Sequence, residues 1–288
     1  MSKVVVITGC STGLGSAIAV QAAQKGHRVY ATMRDTGKAQ ALESAAMAAG
    51  ISLHVLPMDV TDTHSVNACV AQILAIEGRI DVLINNAGSG FVRSTEQASE
   101  EDIAWIMDVN FMGVVRTTKA VIGAMRQARA GHIINISSVG GLVGQPFNEV
   151  YCASKFAVEG YTESLACYVQ PSFGIKFTAV EPGGIRSEFV NAAMAHVEAS
   201  GGIIEDEYLP ILQQYLAGAR ARGDVAYQSC DEVAQVVIAC MEAENPPVRT
   251  RTSAWSNHFC ELKTASDPDG LLLQKQLIER FLGGVEAA

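Results

Sequence analysis

Charge is scarce in this 288-residue chain: Asp, Glu, Lys and Arg make up 18% of it, against 49% hydrophobic residues. That balance excludes an extensively solvated chain, leaves ample material for a core, and implies that some apolar surface meets another subunit. No Lys/Arg-rich run is present and the formal net charge is −9, so a nucleic-acid partner is not expected. No stretch approaches the roughly 18 consecutive apolar residues of a membrane span. Met1 to Lys3 lead straight into Val4-Val5-Val6-Ile7, without the apolar length or cleavage site of a signal peptide, and the expected location is cytoplasmic. The seven cysteines (Cys10, Cys69, Cys152, Cys167, Cys230, Cys240, Cys260) lack paired short spacings, and their odd number gives no disulfide framework. The six histidines are scattered, none at ligand spacing from a second histidine or a carboxylate, so no metal is expected. Repeats and low-complexity segments are also absent.

What is present is an alternation of strand and helix patterns without a linker-like break. Val4 to Thr8 is a short β-branched apolar run, as in a parallel strand covered on both faces. Ser16 to Lys25 has helical spacing and stops at Gly26. Strands follow at Arg28–Thr32, Ser52–Pro57, Ile80–Ile84, His132–Ser137 and Lys176–Val180. Helices are expected over 38–49, 63–77, one long segment from 99 to 128, and 151–169. The pattern predicts an α/β fold: one domain spanning residues 1–288, built on a doubly wound Rossmann-type parallel sheet flanked by helices. Within it, 1–186 form the core, 187–230 a helical lid with two pieces around Gly201-Gly202, and 245–288 a C-terminal extension. A helix is expected at Asp231–Met241, a last strand at Val248–Thr252 and a final helix at Leu271–Phe281.

Three features carry chemistry. Gly9, Gly13 and Gly15 form a turn between the first strand and first helix, where absent side chains let backbone N–H groups approach a pyrophosphate. At the end of the second strand, where dinucleotide enzymes commonly place an acid for the ribose, stand Met33 and Arg34. A guanidinium there suits a 2′-phosphate, with Ser11 and Thr12 as further donors; Asp35 would favour NAD if the register shifted by one residue. Tyr151 and Lys155 lie four residues apart on one helical face, and the lysine is expected to bring the phenol towards a working pKa for proton exchange. Ser137 and Ser138 close an apolar run upstream and point to opposite faces, so only one can reach that tyrosine.

In order, Thr8-Gly9-Cys10-Ser11-Thr12-Gly13-Leu14-Gly15, Asn110, Ser138 and Tyr151-Cys152-Ala153-Ser154-Lys155 resemble the short-chain dehydrogenase/reductase family over roughly residues 3 to 190. The resemblance implies hydride transfer between a nicotinamide cofactor, NADP(H) rather than NAD(H), and an alcohol or ketone. Tyr151 would be the general acid/base, Lys155 would also bond the nicotinamide ribose, Asn110 would hold a relay water, and Ser138, by its distance from Tyr151, would position the substrate oxygen. Asp59-Val60 resembles the adenine-contacting pair, Asn85-Asn86-Ala87-Gly88 the segment bordering the cofactor, and Pro182, Gly183 and Ile185 the loop covering the nicotinamide. Ser187 stands at the family's serine or threonine position and equally at a helix N-cap.

Over the site, Phe189, Met194, Tyr208, Leu209, Tyr215 and Tyr227, with Leu142, Val143 and Phe147, could wall an apolar pocket. The substrate contacts expected are Ser138, Val143, Phe147, Tyr151, Met194 and Tyr208. No arginine or lysine cluster stands in residues 188–227 apart from Arg220 and Arg222, so a CoA or carrier-protein ester is not expected. A bulky, largely apolar alcohol or ketone fits better, and Thr8-Gly9-Cys10-Ser11 with Tyr30-Ala31-Thr32-Met33-Arg34 resembles the hydroxysteroid and retinol branch. An NAD-dependent alcohol dehydrogenase of the same fold and a non-catalytic nucleotide-binding redox sensor are the alternatives. Family members pair the helices equivalent to 99–128 and 151–169, which implies a homodimer or homotetramer.

Overall fold

Every side chain of the first strand, Val4–Ile7 (β1), is buried, as in a strand covered on both faces. The computed structural model describes residues 2–221, 223 and 227–282. After β1 come α1 (Gly13–Gln24), β2 (Arg28–Met33), α2 (Gln40–Ala48), β3 (His54–Pro57), α3 (Thr63–Glu77) and β4 (Val82–Asn85). The chain continues through α4 (Glu100–Met107), α5 (Gly113–Ala128), β5 (Gly131–Ile136), α6 (Glu149–Phe173) and β6 (Ile175–Glu181). Next come β7 (Gly184–Arg186), at the end of the core segment, and then α7 (Phe189–Ala199), α8 (Leu209–Ala221) and β8 (Tyr227–Ser229) of the lid segment. The last elements are α9 (Cys230–Glu242), β9 (Arg249–Arg251), α10 (Ala254–Thr264) and α11 (Leu271–Leu282).

Seven strands form one sheet in the order β3-β2-β1-β4-β5-β6-β9. Every neighbouring pair is parallel, as the unbroken apolar runs predict. Alternate residues of each strand feed opposite layers. Val5 and Ile7 of β1, with Val82 and Ile84 of β4, pack on Ile18 of α1 and Val233 and Val237 of α9. Val4, Val6 and Leu83 pack on Ile73 of α3, Val121 of α5 and Leu165 of α6. Chain direction reverses across the sheet at β1 and β4, and the crevice beyond their carboxyl ends is where such sheets bind ligands.

Three expectations change. The long helix expected over 99–128 is two helices joined by a π-helical turn, Asp108–Met112, which Arg116 braces with bonds to Asp108 Oδ1 at 2.5 Å and to the Val60 carbonyl at 3.1 Å. Such bulges re-aim side chains at functional sites, and this one turns Asn110 inward to complete burial. The lid's β8 also pairs with β7, which precedes it at the end of the core segment, in a second, two-stranded sheet. Finally, the C-terminal extension contains an unexpected helix, α10, whose N-terminus is capped by the Ser253 hydroxyl accepting from the Ser256 N–H at 3.1 Å. All seven cysteines are free thiols. Burial pushes Cys10 up to about 12, so it is a packing residue rather than a nucleophile.

Candidate active site

The carboxyl ends of β1, β4, β5 and β6 open into one cavity of about 520 Å³. At one end is the glycine turn. A Cβ on Gly15 would lie 2.4 Å from the Gly9 carbonyl oxygen and 2.5 Å from the Asn86 amide, and one on Gly9 would lie 2.9 Å from Ala87 Cα. Gly9 and Gly13 both have positive φ, at 71° and 63°, a region open to glycine. Thr12 precedes α1 but makes no side-chain capping bond, so the first N–H groups of that helix are left for a ligand. Gly9, Ser11, Thr12, Gly13, Leu14 and Gly15 all line the cavity. Thr8 does not: it is buried, and its hydroxyl accepts from Asn86 N at 3.0 Å and Ala87 N at 2.9 Å, locking the turn to β4.

The second strand ends at Met33, which is buried, with Arg34 following on the cavity wall. Asp35 is not on that wall; its carboxylate accepts from Gly37 N at 2.9 Å and caps a short 3-10 turn. Asp59, Val60, Asn86, Ala87 and Gly88 continue the lining, and Asp59 Oδ1 is held by Thr61 N at 2.9 Å and Thr61 Oγ1 at 2.7 Å. Pro182, Gly183, Ile185 and Ser187 complete it on the β6 side. The Ser187 hydroxyl accepts from Phe189 N at 3.4 Å, but the N-cap of α7 is Glu188 rather than Ser187. The cradle that any Cβ would fill, the uncapped helix start and the guanidinium beside it fit a phosphate-bearing dinucleotide. Among the described residues no group of histidines, cysteines and carboxylates is arranged to hold a metal.

Ser138, Tyr151 and Lys155 share the same cavity. Ser138 follows β5 and its hydroxyl accepts from Gly140 N at 3.0 Å, a local cap that fixes the side chain. The same hydroxyl acts on the Tyr151 phenol, favouring its ionised form. Lys155 is buried; its ammonium donates to the Ile136 carbonyl at 2.9 Å and lies 5.9 Å from the centre of the Tyr151 ring. Asn110 bonds on every side: Oδ1 accepts from Ser89 N at 2.8 Å, and Nδ2 donates to Ser89 O at 2.9 Å and Ser154 Oγ at 3.1 Å. Its side chain is therefore a tie between the segment after β4 and α6.

The electrostatics correct one expectation. Burial pushes the Tyr151 phenol up to about 12, with the Ser138 hydroxyl offsetting only part of that. Lys155 was expected to bring the phenol down, but its ammonium is turned to a main-chain carbonyl. Desolvation wins over a cation that is not in contact. The lysine is itself lowered to about 8 by burial.

Four expected substrate contacts lie outside the cavity wall. Val143 packs with Val139, Leu142, Trp255 and Phe259 in a separate small cluster. Phe147 is buried with φ at 60°, and its ring faces Tyr208 and Tyr215 at 6.5 and 6.2 Å. Tyr208 is drawn outward by a hydrogen bond to Glu96 Oε2 at 2.8 Å. Met194 sits on α7, whose cavity-facing residues are Phe189, Val190 and Ala192 instead. Trp105 of α4, Trp255 of α10, Gln145 and Asn148 line the wall and were not foreseen. The two tryptophans are the only ones in the chain, and that rarity on otherwise polar helices was the available signal. Gly90 lets the lid close on the core, since a Cβ there would lie 2.9 Å from both Ala193 Cβ and the Phe189 ring. Arg93, buried, holds the far end of α7 through Val197 O, Ser200 O and Gly202 O at 3.1 to 3.3 Å. Arg222 lies outside the described residues.

A family model described as short chain dehydrogenase matches residues 3–198. Retinol dehydrogenase 8 of Bos taurus is 41% identical over 276 residues, 94% of this chain and 87% of that protein. The 17-beta-hydroxysteroid dehydrogenase type 1 of Homo sapiens is 38% identical over 256 residues, 87% of this chain and 77% of that one. An actinorhodin polyketide ketoreductase solved with NADPH superposes with a TM-score of 0.74 at 27% identity, covering 89% of this chain and 97% of the other.

Proposed function

The chain belongs to the short chain dehydrogenase family, NAD(P)-dependent oxidoreductases of alcohols and ketones, and we propose that it works between NADP(H) and a bulky, largely apolar alcohol or ketone with Tyr151 as general acid/base. The observation that carries this reading is the common cavity: the phenol, the Ser138 hydroxyl and the Lys155 ammonium stand at one end, and the glycine cradle at the other. A nicotinamide dinucleotide, when bound, supplies the hydride donor or acceptor. Gly9 to Gly15 and the start of α1 would bind its pyrophosphate, Arg34 a 2′-phosphate, and Ile185 and Lys155 its nicotinamide half.

In carbonyl reduction Tyr151 gives its phenolic proton to the substrate oxygen, which Ser138 holds and polarises by hydrogen bonding. A phenol pushed up to about 12 keeps that proton at neutral pH, as the acid in carbonyl reduction requires. Trp105, Phe189, Val190, Tyr215 and Trp255 give the substrate end an apolar wall, with Gln145 and Asn148 as its polar exceptions. The names of the relatives above refer to retinol and a hydroxysteroid, both bulky apolar carbinols, and that supports the substrate class. NADP(H) is favoured over NAD(H) because Met33 offers no carboxylate and Asp35 is spent on its own turn. A redox sensor without catalysis would have no use for the phenol, hydroxyl and ammonium together. Following reduced-nicotinamide absorbance with retinoid, steroid and aliphatic ketones, using both cofactors, tests the reading. Turnover of apolar ketones with NADPH is expected, and cofactor binding without turnover of any carbonyl would overturn it.

A further inference from the structure

Among the described residues, five buried side-chain nitrogen or oxygen atoms lack a hydrogen-bond partner, and four of them form one cluster: the Ser137 hydroxyl, both carboxyl oxygens of Glu159 and Oε1 of Glu181. Buried polar atoms are rarely left so. Glu159 is 5% exposed and Glu181 fully buried. Tyr151, Lys155 and Glu159 follow one another at four-residue intervals on α6, while Glu181 ends β6 immediately before Pro182. A Cβ on Gly141 would lie 2.6 Å from Ser137 Oγ and 3.1 Å from Glu159 Oε1, so the hydroxyl and the carboxyl crowd the same small residue. The two carboxyls act on each other's titration, and their orphaned oxygens belong to α6 and β6, which pack together. Two acceptors in contact are both satisfied by one proton, and two buried charges in contact are not tolerated.

Arg251 decides where the charge rests, because its Nη1 lies 3.0 Å from Glu181 Oε2. The other ionisable groups around the pair are Arg249 on β9, which is paired with Glu163 of α6 and Asp267, the Cys260 thiol on α10, and Lys155. We propose that Glu159 and Glu181 hold one proton between them, carried on Glu159, and that this neutral carboxyl is a positioning residue for Lys155. An ionised Glu159 one turn away would draw the ammonium from the cavity; a neutral one leaves it at the Ile136 carbonyl beside Gly88, facing the cofactor. Burial and the neighbouring Glu181 charge push Glu159 well above the ordinary carboxyl range, and Glu181 rises to about 7 despite its arginines.

The role assigned to Lys155 rests on the function proposed above, whereas the proton can be read without substrate or cofactor. Infrared spectra of the whole protein at neutral pH should contain the carbonyl band of a protonated, buried carboxyl that disappears in Glu159→Gln. Burial is the larger cause of the Glu159 shift, so Glu181→Gln should keep the band at neutral pH but lose it at a lower pH than the unmodified protein; above that pH NADPH should bind about tenfold more weakly, and adding Glu159→Gln to that variant should restore binding to within about twofold. A purely structural role would give additive losses instead. Absence of the band, or a double variant no better than Glu181→Gln alone, overturns the proposal; loss of ketone turnover with band and rescue intact would count against the proposed function only.

Discussion

The proposed preference for NADP(H) turns on a single exposed side chain. Arg34 lines the cavity at the end of β2, Met33 beside it is 3% exposed and uncharged, and Asp35 is committed to Gly37 N at 2.9 Å. A charge-assisted hydrogen bond contributes about 1.5 to 3 kcal/mol net. Because Arg34 is solvent-exposed, screening moves the expectation to the low end of that range. At about 1.4 kcal/mol per decade, Arg34→Ala should weaken NADPH binding about tenfold and leave NADH within about twofold. Fluorescence titration of both reduced cofactors, repeated at low and high ionic strength, measures the difference, and the NADPH preference should shrink with salt. Met33→Asp should go further, because a carboxylate there repels the 2′-phosphate and accepts from the free ribose hydroxyls. Equal losses for both cofactors on Arg34→Ala, or an unmodified protein that prefers NADH, would refute the assignment of this corner to the phosphate.

Lys155 should set a pH limit on cofactor affinity. Its folded value of about 8 lies below the ordinary lysine value, so the native protein loses that proton first, and NADPH affinity should fall as pH rises through about 8; a flat profile from pH 7 to 9 contradicts this. Gly90→Val would drive a side chain into Ala193 and Phe189, whose nearest atoms stand 2.9 Å from the added Cβ. The lid should be displaced, raising KM for the ketone several-fold while NADPH affinity is unchanged, and steady-state kinetics with direct cofactor titration separates the two. Phe156 and Tyr168 on α6 are 44% and 49% exposed, which supports pairing of that helix with a second copy. Sedimentation at micromolar concentration should give a dimer or tetramer, and a single-chain mass would end that idea.

The sheet was readable because a parallel strand buried on both faces is an unbroken apolar run, and Val4–Ile7 and Val82-Leu83-Ile84 are such runs. The third helix was readable to the residue because Asp62 caps its start and Gly78, with φ at 69°, stops it. The break at Asp108–Met112 was not, since no proline or glycine interrupts the helical spacing before Gly113; what opens it is a distant bond from Arg116 to Val60. Among site residues, the glycine turn and the helical Tyr151–Lys155 pair have local signatures. Pocket walls do not: aromatic type cannot tell Phe189, which faces the cavity, from Tyr208, which Glu96 draws away. The direction of the Tyr151 shift was equally hidden, because it follows from the depth of the phenol rather than from the residue four places along. Glu159 and Glu181 are far apart in sequence, and only the packing of α6 against β6 brings them together.

The central claim is that the Tyr151 phenol exchanges the proton. Steady-state turnover of an apolar ketone by Tyr151→Phe, with NADPH affinity measured on the same preparation, tests it directly. General acid/base help is worth about two orders of magnitude or more, so turnover should fall at least that far while the cofactor binds as before and Ser138 keeps its local cap. A variant that reduces the ketone at near the unmodified rate would contradict the account.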